Sequence, residues 1–80
     1  MSGRDIDEFQ NRLKAFVFFH LGSDAVVKVE EGPEHCRFRL EHPRIDAFEF
    51  LLAPGQMQIL VRDKAQFEEF MLGHLTQHRR

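Results

Sequence analysis

The sequence predicts a two-layer α+β domain. A four-stranded antiparallel meander receives an N-terminal and a C-terminal helix on one face, in the order α-β-β-β-β-α, as a single domain over residues 1–80. Two observations carry this reading. Apolar residues recur at spacings of three and four at both ends of the chain, and they alternate with polar residues in four segments between, separated by Gly- and Pro-containing breaks.

The first helix is expected over Asp5–Leu21. Ile6, Phe9, Leu13, Phe16, Val17 and Leu21 lie on one face, Asp5, Asp7 and Glu8 suit the positive end of the helix dipole, and Gly22 suits a left-handed cap. Phe18 and Phe19 make the end of this helix apolar nearly all round, so that end is expected to be deeply buried or to meet a partner. The period then changes to two. Ala25, Val27 and Val29 form the inward set of a first strand, and Glu31-Gly32-Pro33-Glu34 breaks the chain. Cys36, Phe38 and Leu40 form a second strand, and His42–Asp46 is read as a loop.

Phe48, Phe50 and Leu52 belong to a third strand. Ala53-Pro54-Gly55-Gln56 has the residue types of a type II turn, and Met57, Ile59 and Val61 alternate in a fourth strand behind it. Asp63 and Gln66 have the spacing of a capping box. The last helix follows, with Phe67, Phe70, Met71, His74, Leu75 and His78 at helical intervals and Arg79 and Arg80 at its negative end.

Both helices need one apolar sheet face, which leaves the other face open. On that face the Pro54-Gly55 turn makes Leu51 and Leu60 diagonal neighbours, a small apolar spot. For the first hairpin, one register sets Lys28 against Arg37; a slide of two residues sets Glu30 against Arg37 and Lys28 against Arg39. Both keep the same residues inward, so hydrophobicity alone does not choose.

Composition narrows the function classes. The chain has 80 residues, nine Phe, no Trp or Tyr, one Cys and a formal charge of −2. Residues 1–40 carry six Lys/Arg and seven Asp/Glu, and residues 41–80 carry five and six. This lacks the basic excess of a dedicated nucleic-acid binder. Lys28, Arg37 and Arg39 still form a basic strip on the open face, the alternative nucleic-acid reading, but it has no outward aromatic on which bases would stack. A lone cysteine implies a reducing, cytoplasmic setting, and Met1–Asp5 does not read as a signal peptide. The apolar run Ala15–Phe19 is far too short for a membrane span.

No motif points to an enzyme. His74 and His78 have the i, i+4 spacing of two metal ligands, the basis of a metal- or pH-sensing alternative, yet no thiolate cluster or intervening Glu completes a site. His35 and Cys36 are strand neighbours and point to opposite faces. Glu30-Glu31 and Glu68-Glu69 read as solvated pairs. So small a core is not expected to hold a pocket for a small-molecule substrate, and no cofactor is implied. The reading that remains is a non-enzymatic interaction module. It would bind itself or another protein through Leu51, Leu60, Phe18 and Phe19, since a small chain gains apolar burial by association.

Overall fold

The computed structural model describes residues 3–79, with side chains from residue 5 onward. Its elements are α1 (Gly3–Leu21), β1 (Val26–Glu31), β2 (Cys36–Glu41), β3 (Phe48–Leu52), α2 (Pro54–Arg62) and α3 (Lys64–His78). The α+β class stands. The sheet, however, has three antiparallel strands in the order β1-β2-β3, and the segment read as a fourth strand is helical.

α1 buries the expected stripe of Ile6, Phe9, Leu13, Phe16, Val17 and Leu21. It ends where predicted: Gly22 adopts φ +89° and its N–H donates to the Phe18 carbonyl at 2.9 Å. β1 and β2 pair in the second of the two registers, with Glu30 opposite Arg37 and Lys28 opposite Arg39, the latter two cations each held by Glu41. β2 pairs with β3 so that Phe38 faces Phe50 and Arg37 faces Leu51. Inward alternation in β2 and β3 is as read: Cys36, Phe38, Leu40, Phe48, Phe50 and Leu52 are all buried.

The correction falls at Pro54. Pro54-Gly55 is the first turn of α2 and not a hairpin turn. Proline's missing N–H costs nothing at a helix start, and its fixed φ suits one. Ala53 is the N-cap, its N–H donating to the Gln56 side chain at 3.1 Å and its carbonyl accepting from Met57 N–H at 3.0 Å. At helical spacing Met57 and Leu60 turn inward, and Ile59, expected inside, is 52% exposed. Asp63 closes α2, its N–H donating to the Ile59 carbonyl at 2.9 Å, and opens α3 by accepting from Gln66 N–H at 3.1 Å. The predicted capping residue is therefore in place. The Gln66 side chain returns to the Asp63 carboxylate at 3.1 Å rather than to its backbone.

Both long helices lie against the same sheet face, as expected. From α1, Phe9 packs on Phe38 at 4.8 Å and Phe50 at 6.3 Å between ring centroids. From α3, Phe70 packs on Phe50 at 5.3 Å, and the rings of His74 and His78 lie parallel to Phe48 at 5.2 and 4.5 Å. Phe9 also meets Phe67 at 5.7 Å, which joins the two helices over the sheet. Ile45, read as loop, is buried; it bridges Arg79, and the next N–H, of Asp46, donates to the His78 carbonyl at 2.9 Å. Arg80, expected to complement the end of α3, lies outside the described residues. Among the described residues no helix is long and apolar enough to cross a membrane.

Candidate interaction surface

Conversion of the fourth strand to α2 dissolves the anticipated leucine pair. Leu60 is buried at 8% exposure, whereas Leu51 is 56% exposed on the open sheet face beside Arg37. One leucine among charges is ordinary surface. Val26, also outward, is 44% exposed at the far edge in β1, and the charges between are paired with one another. Lys28 reaches Glu41 at 3.8 Å. Arg37 reaches Glu30 at 4.0 Å and Glu49 at 3.6 Å. Arg39 reaches Glu41 at 2.7 Å and Glu49 at 3.0 Å. The fold does bring Lys28, Arg37 and Arg39 together, but as cations in a lattice with an equal number of carboxylates. The contact with Arg39, then the Lys28 charge, holds the Glu41 carboxyl below the usual carboxylate range. A phosphate backbone would have to displace these carboxylates.

The apolar surface lies on the helical layer. Phe18 and Phe19 are 65% and 83% exposed. Phe19 stands at the lip of a half-open groove of about 430 Å³ between α1 and α3. α1 contributes Arg12, Ala15, Phe16, Phe19 and His20, an i, i+3, i+4, i+7, i+8 series that forms one side of the helix. α3 contributes Phe67 and the series Lys64, Glu68 and Leu72 at intervals of four. Phe16 and Phe67 meet edge to face at 5.5 Å and 88°, closing the floor. Ala15 is small between two phenylalanines, and that leaves the gap. His20 leans on Phe16 at 4.2 Å and Phe19 at 5.2 Å between ring centroids. On the rim, Lys64 pairs with Glu68 at 4.0 Å, while Arg12 has no carboxylate partner among the described residues. The groove is thus apolar below and carries a net positive charge above.

Phe18 has a different outlook. Two residues along a helix is a rotation of ~200°, so Phe18 sits on the flank of α1 turned away from the α3 groove. The sequence singled out Phe18 and Phe19 but not their separation, nor the contributions of Arg12, Ala15, Phe67 and Leu72. The spacing of the two series was readable; that they face one another is a tertiary fact.

His74 and His78 do come together, their rings parallel at 6.2 Å between centroids on the face of Phe48. The described residues offer no third ligand beside them. His74 Nδ1 is buried without a hydrogen-bond partner, and burial, then the neighbouring His78, holds this imidazole below the usual histidine range. His42 is the better-satisfied ring: Nδ1 accepts from Arg44 N–H at 3.0 Å and Nε2 lies 2.9 Å from the Ser23 carbonyl, which assigns the Nε2–H tautomer. Cys36 is buried in the core, as its strand parity required.

Comparison of the chain with protein-family models, curated proteins and solved structures returns no match.

Proposed function

We propose that the chain is a non-enzymatic protein–protein interaction module. Its docking surface is the α1/α3 groove, and the occupant is an amphipathic helical segment of a partner protein that carries carboxylates beside its apolar stripe. The observation that carries this reading is Phe19, 83% exposed at the lip of an apolar groove. Covering a phenylalanine ring yields on the order of 1.5–3 kcal/mol, and a groove between two helices receives the ridge of a third. Arg12, without a carboxylate partner among the described residues, and Lys64, in a long exposed ion pair, favour an acidic segment over a basic one.

The test is a titration followed by amide resonances, using a Leu/Glu amphipathic helical peptide and its Leu/Lys counterpart. Shifts confined to Ala15, Phe19, Lys64 and Leu72, seen with the Leu/Glu peptide and lost in Phe19→Ser and Arg12→Glu, support the reading. Equal responses to the two peptides, or shifts centred on the sheet, overturn it. Phe19→Ser should fold normally, since the ring is exposed.

A further inference from the structure

We infer that a second copy of this chain adds to the free edge of β1, joining two three-stranded sheets into one continuous sheet about a two-fold axis through Val29. This surface is separate from the α1/α3 groove, and its occupant is fixed by backbone geometry and charge.

β1 is an edge strand. The Gly32 N–H donates to the His35 carbonyl at 2.9 Å, which makes the next pair, Glu31 with Cys36, a non-hydrogen-bonded one. Alternation along the ladder then aims the N–H and C=O groups of Val27, Val29 and Glu31 away from β2, toward the free edge. A strand that joins this edge must pair through those residues. For a two-fold antiparallel copy only even registers qualify, and the central ones are three. Centring on Lys28 opposes two ammonium groups, and centring on Glu30 opposes two carboxylates. Centring on Val29 opposes Lys28 with Glu30 of the second copy and Glu30 with its Lys28, in non-hydrogen-bonded pairs where side chains stand closest. The strand is therefore self-complementary in one register and self-repelling in the two adjacent ones.

The inner side of the same edge lacks full cover. Val27 and Val29 face the core yet are only half-buried, because the helical layer ends above them. In the Val29-centred register the two Val29 side chains meet under that layer. β3 is also an edge strand, but the segment that leads into it is bridged, Ile45 to Arg79 and Asp46 to His78, and its sequence Phe48–Leu52 carries no cation to match Glu49 in a two-fold pairing.

The test is molar mass by sedimentation equilibrium between about 1 and 100 µM. The expected result is a concentration-dependent rise toward twice the 9.5 kDa chain mass. Lys28→Glu and Glu30→Lys, made singly, should each weaken association by on the order of tenfold or more, and the double exchange should restore it. Val29→Pro removes an N–H that the intrachain ladder does not use, so the monomer should keep its far-ultraviolet spectrum while dimerisation is lost. Phe19→Ser should leave the dimer intact. A chain that stays monomeric throughout, a dimer indifferent to Val29→Pro, or a double exchange no better than the singles overturns the inference.

Discussion

Leu60→Ala and Leu51→Ala should differ in cost by about 2 kcal/mol, and the difference tests whether residues 54–62 form α2 or a fourth strand. Leu60 is 8% exposed and packs inward with Met57; Leu51 is 56% exposed on the open sheet face. Leu→Ala removes the equivalent of roughly three methylenes, each worth ~0.8 kcal/mol when buried. Near-complete burial of Leu60 makes that ~2.2 kcal/mol. The better helix propensity of alanine returns ~0.2 kcal/mol, and incomplete collapse of the space left behind adds ~0.5–1 kcal/mol. The expected loss is ~2–3 kcal/mol, a large part of the stability of so small a domain. Leu51→Ala should cost ~0.5 kcal/mol or less, as at other exposed positions. The chain has no Trp or Tyr, so urea unfolding is followed by far-ultraviolet circular dichroism. With a urea slope near 1 kcal/mol/M, the Leu60 variant should lose ~2 M in midpoint and the Leu51 variant less than ~0.5 M. In a four-stranded sheet both leucines would share the solvent face. Equal midpoint shifts for the two variants would therefore refute the helical assignment and the inward placement of Leu60.

Two further outcomes follow from groups in or beside the core. Burial and the adjacent His78 hold the His74 imidazole below its ordinary range, so between the folded and unfolded pKa values the unfolded chain binds a proton that the folded chain refuses. The His74 contribution is thus fully present above the unfolded value of ~6.5 and is lost progressively as pH falls below it, down to the folded value. His74→Phe, which keeps a ring against Phe48, should flatten the fall in urea midpoint between about pH 7 and 5.5; an unchanged or steeper fall would contradict this. Burial, then the Glu31 charge, raises the Cys36 thiol, so iodoacetamide should label native protein only through opening of the core. Labelling should accelerate ~30-fold in Leu60→Ala, the factor equivalent to ~2 kcal/mol. Native labelling as fast as that of a small free thiol would count against a closed core.

What was legible in the chain is what local physics decides. The Phe9–Phe16 stripe, the Gly22 cap, the Asp63 cap and the inward sets of β2 and β3 each follow from spacing within one element, and each is where the pattern put it. The segment from Met57 to Val61 is different because it satisfies two periods. Met57, Ile59 and Val61 alternate, and two of them are β-branched; Met57, Leu60 and Val61 are also i, i+3, i+4. Five residues do not separate these templates. Pro54 and Gln56 supply start signals for a helix, but Pro-Gly equally opens a turn. Packing breaks the tie: as a helix the segment buries Met57 and Leu60 and brings Gln58 Nε2 to 3.4 Å from Asp5 Oδ2 of α1. The register of the first hairpin was open for a related reason, since a slide of two preserves every inward residue. The structure takes the register with Glu30 facing Arg37, and the Lys28–Arg39 opposition it leaves is offset by Glu41, a neighbour the pairwise reading did not weigh. Ile45 lay beyond reach because its burial depends on residues 78 and 79 returning beside it.

The same change of element relocates the functional argument. With a fourth strand, the open sheet face would have carried an apolar spot. With α2, the outward side chains there include Val26 and Leu51, at opposite edges of the sheet, and between them a set of ion pairs that satisfy one another, including Arg39 between Glu41 and Glu49. Exposed pairs of this kind contribute little to stability, but they leave little charge for a polyanion to recruit. The larger exposed apolar side chains stand instead on α1, where Phe19 lines the groove and Phe18, ~100° round the helix, lies outside it. The β1 edge, with its half-buried valines, and the grooved helical layer are two places where association removes apolar area from water. The edge selects a partner by register, and the groove selects one by shape and by the Arg12 charge. Because the edge and the groove are separate surfaces, substitutions at each should be separable: Val29→Pro alters chain mass, Phe19→Ser the peptide response, and a variant at either that alters both would mean the two surfaces are energetically one.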